Sequence, residues 1–253
     1  MKLGKKPARP GAITLKFADI IDASKLPTPP SHFGHQGMIA NNAWGMLGND
    51  NVGDCVLAGG AHEHMLFSLE GQHGKVVFDT KGVISDYSAI TGYDPNDPNS
   101  DQGTDMQQAA SYRRKVGLID SRGVRHKVDA YCEIGLRDLS QLNLAVWLFG
   151  AAGIGIQFPN TAMDQFNAGK VWDVVPGATI EGGHYVPIIG KHTDGHYVLV
   201  TWGKEILATT RFIRKYMDEG VAYISRDVLL AKTAKTDEGF DIAALDSFLK
   251  QLG

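Results

Sequence analysis

The chain has 253 residues, with 43% hydrophobic and 21% charged side chains and a formal net charge of −3. That length permits a large core, and the near balance of charge removes the bulk electrostatic case for nucleic acid or an anionic membrane as partner. Two cysteines make no disulfide framework. The basic start "MKLGKKPARPGAITLKF" lacks the apolar core of a signal peptide, and no stretch is apolar enough to span a bilayer. The expected location is the cytoplasm at synthesis, with a virion-borne or exported fate left open.

In chain order, residues 1–43 read as an extended arm on the domain surface, because "KKPARPG" and "KLPTPPSHFGHQG" are rich in Pro and Gly. The main domain is expected at 44–230 and a tail at 231–253. A helix is expected from Cys55 to Glu70, with Leu57, Ala61, His64, Met65 and Ser68 on one face. "VISDYSAIT" is a second helix, and "TDMQQAASYRRKVG" a third, capped by Thr104, striped by Ala109, Tyr112 and Val116 and closed by Gly117. "DLSQLNLAVWLFG" is a fourth. The period then changes to short β-rich runs, "GIGIQF", "GGHYVPIIGKH", "HYVLVTWG" and "GVAYIS", with a hairpin turn at Asp194-Gly195. The amphipathic "DIAALDSFLKQLG" ends the chain. Helices first and an antiparallel sheet second is an α+β order.

The candidate chemistry starts at "GNDNVGDCVLAGGAHEHML", where Cys55 follows a glycine-rich turn and begins a helix. A thiol attacks as thiolate, and a helix N-terminus with a nearby imidazolium lowers its pKa. His184, after Gly182-Gly183 at the head of an apolar strand, is the candidate partner, and the hairpin would bring Trp202 back beside it.

These residues resemble the papain-like cysteine peptidases, over about 44–225 by order of elements. "NDNVGDC" is similar to their nucleophile loop, with Asn49 where the family has glutamine and Gly53 where it has glycine. "DQGTDMQQAASYRRKVGLID" is similar to their glycine turn and helix, and "GGHYVPIIGKHTDGHYVLVTWG" to their histidine strand, hairpin and Trp-Gly block. The interval from Cys55 to His184 lies at the edge of the roughly 130–150 residues typical of papain and cathepsins. The resemblance implies an α+β fold with a cleft between a helical and a β half. It implies Cys55 as nucleophile, His184 as base and acid, and Asn49 with the Cys55 N–H as oxyanion donors. Gly103 and Gly183 would line the substrate backbone and Trp202 would shield the site. The substrate would be a peptide or protein, with no cofactor and no metal.

Two departures stand out. The orienting asparagine of the family falls on Val200, which cannot bond imidazole, and Thr201 beside it is expected on the other face of its strand. The Pro-rich residues before Trp44 are not expected to form the long helical pro-segment of the family. These motivate a second reading, a silent papain-like fold serving as a binding or structural module of a phage, virion or secretion system. A third, transglutaminase-like acyl transfer, rests on the Gly-Asp-Cys string. Elsewhere bland readings are preferred. Cys132 is expected in the core, and His62 and His64, two apart on a helix, cannot close on one ion. One of them is expected buried and the other solvated. His192 and His196 flank the hairpin turn, and Tyr112–Lys115 reads as a solvated charged face.

Overall fold

The computed structural model describes residues 1–21, 26, 28–136 and 138–228; the amphipathic segment expected in 231–253 lies outside them. The helical half comprises α1 (Phe17–Ile20), α2 (Cys55–Glu70), α3 (Thr80–Thr91), α4 (Met106–Lys115) and α5 (Leu139–Phe149). Side-chain caps set most of their starts. Asp79 accepts from the Gly82 N–H at 2.7 Å, and Asp138 from Ser140 and Gln141. At α4 the cap is Asp105, accepting from Gln108 at 2.9 Å, and not Thr104, whose backbone has another use described below.

Helix α2 departs from the one-faced reading. Every residue in it except Leu69 is buried, so it is the central helix and carries no solvent stripe. Glu63, fully buried in its middle, is tolerated because partners meet it. Glu63 accepts from Arg113 Nη1 and from the Tyr185 hydroxyl, each at 2.6 Å. Arg113 is itself wholly buried, with its guanidinium 3.8 Å from the centre of the Tyr223 ring. The expected solvated face at Tyr112–Lys115 is therefore half wrong: a charge enters the core where a carboxylate waits for it.

The β half includes strands β1 (Phe33–Gly34), β2 (Leu118–Ile119), β3 (Arg125–His126), β4 (Ala130–Glu133) and β5 (Ala152–Pro159). It continues with β6 (Ile180–Lys191), β7 (Tyr197–Thr201), β8 (Lys204–Ala208) and β9 (Met217–Ile224); helix α6 (Asn160–Asn167) follows β5, and α7 (Thr210–Tyr216) precedes β9. Among the described residues, a seven-stranded antiparallel sheet runs β4-β9-β5-β6-β7-β8, with β1 added against β6. Helices followed by an antiparallel sheet confirm the α+β order. Strand β6 organises the molecule. β7 pairs only with its last part, Ile188–Lys191, so β7 leaves the edge from Ile180 to Pro187 free. Helix α2 packs against β6, with Gly59 leaving room for the Tyr185 ring: a Cβ there would lie 2.5 Å from it.

Candidate active site

Cys55 is the first residue of α2, and the loop before it is held from outside. The Gly53 N–H donates to both oxygens of Asp101 at 2.9 and 3.2 Å, and Asp101 accepts from the Tyr87 hydroxyl at 2.6 Å. That hydroxyl accepts the Gly103 N–H at 2.9 Å, so one network ties the cysteine loop to the glycine turn across the groove. Within the loop, the Asn49 amide donates to the Val52 carbonyl at 3.0 Å. Asp54 is fully buried beside Asn49, and desolvation pushes its carboxyl well above the usual range.

His184 stands on the free-edged part of β6. Its Nε2 lies 2.7 Å from Thr201 Oγ1, and its ring stacks on Trp202 with centroids 4.5 Å apart and planes at 19°. This overturns the expectation at Val200. The register pairs Ile188 with Leu199, so Leu199 and Thr201 share the face of Ile188 and His184, and Val200 points away. A register shift between Ile188 and Gly190 brings the hairpin to that pairing. Thr201, and not Val200, bonds the His184 ring.

Cys55 and His184 are 2% and 1% exposed and line one small cleft with Asn49, Tyr185, Thr201 and Trp202. About 10 Å³ of free space remains there, room for about one water. Burial pushes the Cys55 thiol up to about 12 and lowers His184 to about 3, so both are neutral in this closed arrangement. The His184 Nδ1 makes no hydrogen bond.

The cleft is closed by the chain's own N-terminus, not by a surface arm. The Lys2 N–H donates to Asn49 O at 2.9 Å, and Trp202 Nε1 reaches Lys2 O at 3.4 Å. The Gly4 and Lys5 N–H groups reach Gly183 O at 3.2 and 3.1 Å. On the other wall Thr104 N–H donates to Gly4 O at 2.7 Å, and Lys6 N–H to Thr104 O at 2.9 Å. This strap, residues 2–6, explains the double glycine before His184: a Cβ on Gly183 would fall 2.3 Å from Lys5 O, and one on Gly103 2.3 Å from Gly4 O.

No protein-family model and no curated protein matches the sequence. Solved structures do match. Xylellain, a cysteine protease from Xylella fastidiosa, superposes with a TM-score of 0.58 at 14% identity, over 88% of this chain and 96% of that one. The fold is papain-like. The Amb a 11 cysteine protease of ragweed pollen in its proform gives 0.58 at 16% identity over 83% and 70%, and procathepsin B S9 from Trypanosoma congolense 0.57 at 10% over 88% and 86%.

Within this papain-like fold the remaining polar residues take other places. His62 and His64 are both buried: His62 Nε2 lies 3.0 Å from Gly45 O, and His64 Nδ1 lies 3.7 Å from Asp227. Neither faces solvent, because α2 has no solvent side. His192 and His196 flank Asp194 on the hairpin, half exposed. Cys132 is fully buried in β4. Among the described residues no group of three or more His, Cys, Asp or Glu side chains is placed to hold a metal ion, and no helix is long and apolar enough to cross a membrane. Sequence reasoning missed Thr201, Asp101 and Tyr87, and the strap.

Proposed function

We propose that the chain is a papain-like cysteine peptidase or amidase that hydrolyses a peptide or isopeptide bond through a Cys55 thioester. One observation carries this reading: an extended peptide, residues 2–6, is held by backbone bonds across a groove that contains a cysteine at a helix N-terminus and a histidine bonded to Thr201. With Nε2–H donated to Thr201, Nδ1 is the atom that takes the thiol proton. The thiolate adds to the carbonyl carbon, and the oxyanion receives the Cys55 N–H and the second amide hydrogen of Asn49. His184 returns its proton to the leaving amine, and water, deprotonated by the same ring, then cleaves the thioester. Gly103 and Gly183 admit the substrate backbone and Trp202 shields the imidazole. Two of the similar structures are proforms by description, and the strap gives this chain a closed state of its own.

The neutral cysteine and histidine favour a second reading, a silent peptide-binding module. The two separate on Cys55 alkylation by iodoacetamide as a function of pH, with Cys132 as internal control, in the presence and absence of peptide substrates. A peptidase shows Cys55 labelling well below pH ~8.5, the ordinary thiol range, that His184→Ala removes, and hydrolysis that Cys55→Ala abolishes. Full hydrolysis by Cys55→Ala would falsify the peptidase reading. Slow, ordinary labelling with no turnover of any peptide supports the silent module.

A further inference from the structure

The strap side chain at Lys5 enters a pocket that nothing in the proposed chemistry requires. Lys5 is 5% exposed, and its Nζ lies 3.1 Å from Asp218 Oδ2, 3.0 Å from Glu219 Oε2 and 3.0 Å from Lys6 O. Neighbouring residues on a strand ordinarily point to opposite faces. Here β9 slips against β5: Gly155 pairs with Glu219 and Ile156 with Met217, leaving Asp218 as an extra residue in a bulge. The bulge turns both carboxylates towards one cation. The opposing strand makes the room, since a Cβ on Gly155 would lie 2.0 Å from Lys5 Cε and 2.9 Å from Asp218 Oδ1. That Oδ1 has no hydrogen-bond partner, so the pocket holds a spare acceptor for a second N–H. Around the pair, Glu219 Oε1 accepts the Arg9 N–H at 3.2 Å, while the Arg9 guanidinium is drawn off to Asp105.

We propose that Asp218 and Glu219 are the specificity-determining pair of the cleft, admitting peptides with a lysine or arginine side chain at the residue that lies beside Thr104, and that Lys5, which bridges to Thr104, is the chain's own occupant of that place. The inference rests on the groove's being a peptide site, as above, but not on turnover. A guanidinium, with its several N–H groups in one plane, can use the spare Oδ1 as well as the two bonded oxygens. A neutral side chain would leave two partly buried carboxylates facing each other without a cation.

The test uses the full chain and reads Cys55 alkylation. In Lys5→Ala the strap loses its anchor, and labelling should rise by at least about tenfold, as expected when one partner of a largely buried ion pair is removed. The synthetic peptide MKLGKK, and its version with arginine at the fifth place, should then slow labelling, while versions with alanine or glutamate there should not. Charge exchange guards against a misfolded variant: Lys5→Glu alone should label fast, and Lys5→Glu with Glu219→Lys should label slowly again. Equal protection by the lysine and alanine peptides, or labelling indifferent to Lys5→Ala, overturns the proposal. A chain that hydrolyses nothing yet still separates the two peptides loses the peptidase reading and keeps this pocket.

Discussion

At the scale of the residue, Thr201 is the side chain that bonds the proposed catalytic histidine. A hydroxyl 2.7 Å from Nε2 holds the ring's angle, and because it can donate or accept it serves either tautomer, yet it brings no negative charge to hold an imidazolium. In the proposed mechanism the cysteine thiolate itself is then the counter-ion of the imidazolium. Thr201→Val keeps the shape and deletes the oxygen, leaving a buried ring nitrogen without its partner, a loss of about 1–3 kcal/mol. Taken from the transition state, that is about tenfold or more in rate. The expected outcome is a drop in kcat of that order with KM little changed, and a Cys55 alkylation profile moved to higher pH; Thr201→Ser should restore most of both. A Thr201→Val chain with the parent profile would show that the stacking of Trp202 alone orients the ring.

At the scale of the element, the helix that begins at Cys55 and the strand that carries His184 are joined by a buried charge. Glu63 on α2 binds Tyr185 on β6 and Arg113 on α4, and among the described residues no other acidic side chain bonds that guanidinium. Glu63→Gln leaves a cation buried without its carboxylate, which should destabilise the fold by about 3–5 kcal/mol. Adding Arg113→Met should recover much of this, and urea unfolding of the two variants checks it. If both unfold at the parent midpoint, the charge pair holds nothing together. This arrangement also shows what the sequence could reveal. The helix at Cys55, the β order and the placing of Cys55, His184 and Trp202 around one cleft were legible, because glycine turns, period and the resemblance of the motifs carry them. Thr201 was not, since a single shift of register between β6 and β7 exchanges it with Val200, and no local signal marks that shift. Arg113 was misread because its surroundings in sequence are charged while its partner lies fifty residues away. The strap was missed for a related reason: Pro and Gly mark residues 1–43 as extended, but the Asp218–Glu219 bulge that anchors Lys5 is more than two hundred residues downstream.

At the scale of the whole molecule, burial of titratable groups sets the pH range in which the closed fold is stable. His62 and His64 are lowered to about 4 and His184 to about 3, in each case chiefly by burial. Unfolded, each titrates near pH ~6.5, so the unfolded chain binds more protons as the pH falls. Their stabilisation is complete above that value and is lost progressively towards pH 4, by up to about 1.4 kcal/mol per pH unit for each group. His126 acts the other way: hydrogen bonding to Asp227 raises it, so its gain is present in acid and fades as pH rises. One such group offsets only part of three. At the alkaline end Cys55 and Cys132 are both pushed up to about 12 by burial, so the unfolded chain ionises first and stability falls above pH ~8.5. The thermal midpoint should therefore be flat between about pH 6.5 and 8.5 and fall on both sides. His184→Gln should soften the acid limb and Cys55→Ala the alkaline one. Scanning calorimetry from pH 4 to 10 reads both limbs. A midpoint unchanged between pH 7 and 4.5 would mean that these rings can be protonated in the folded chain, with water reaching them through a cleft that the strap does not seal.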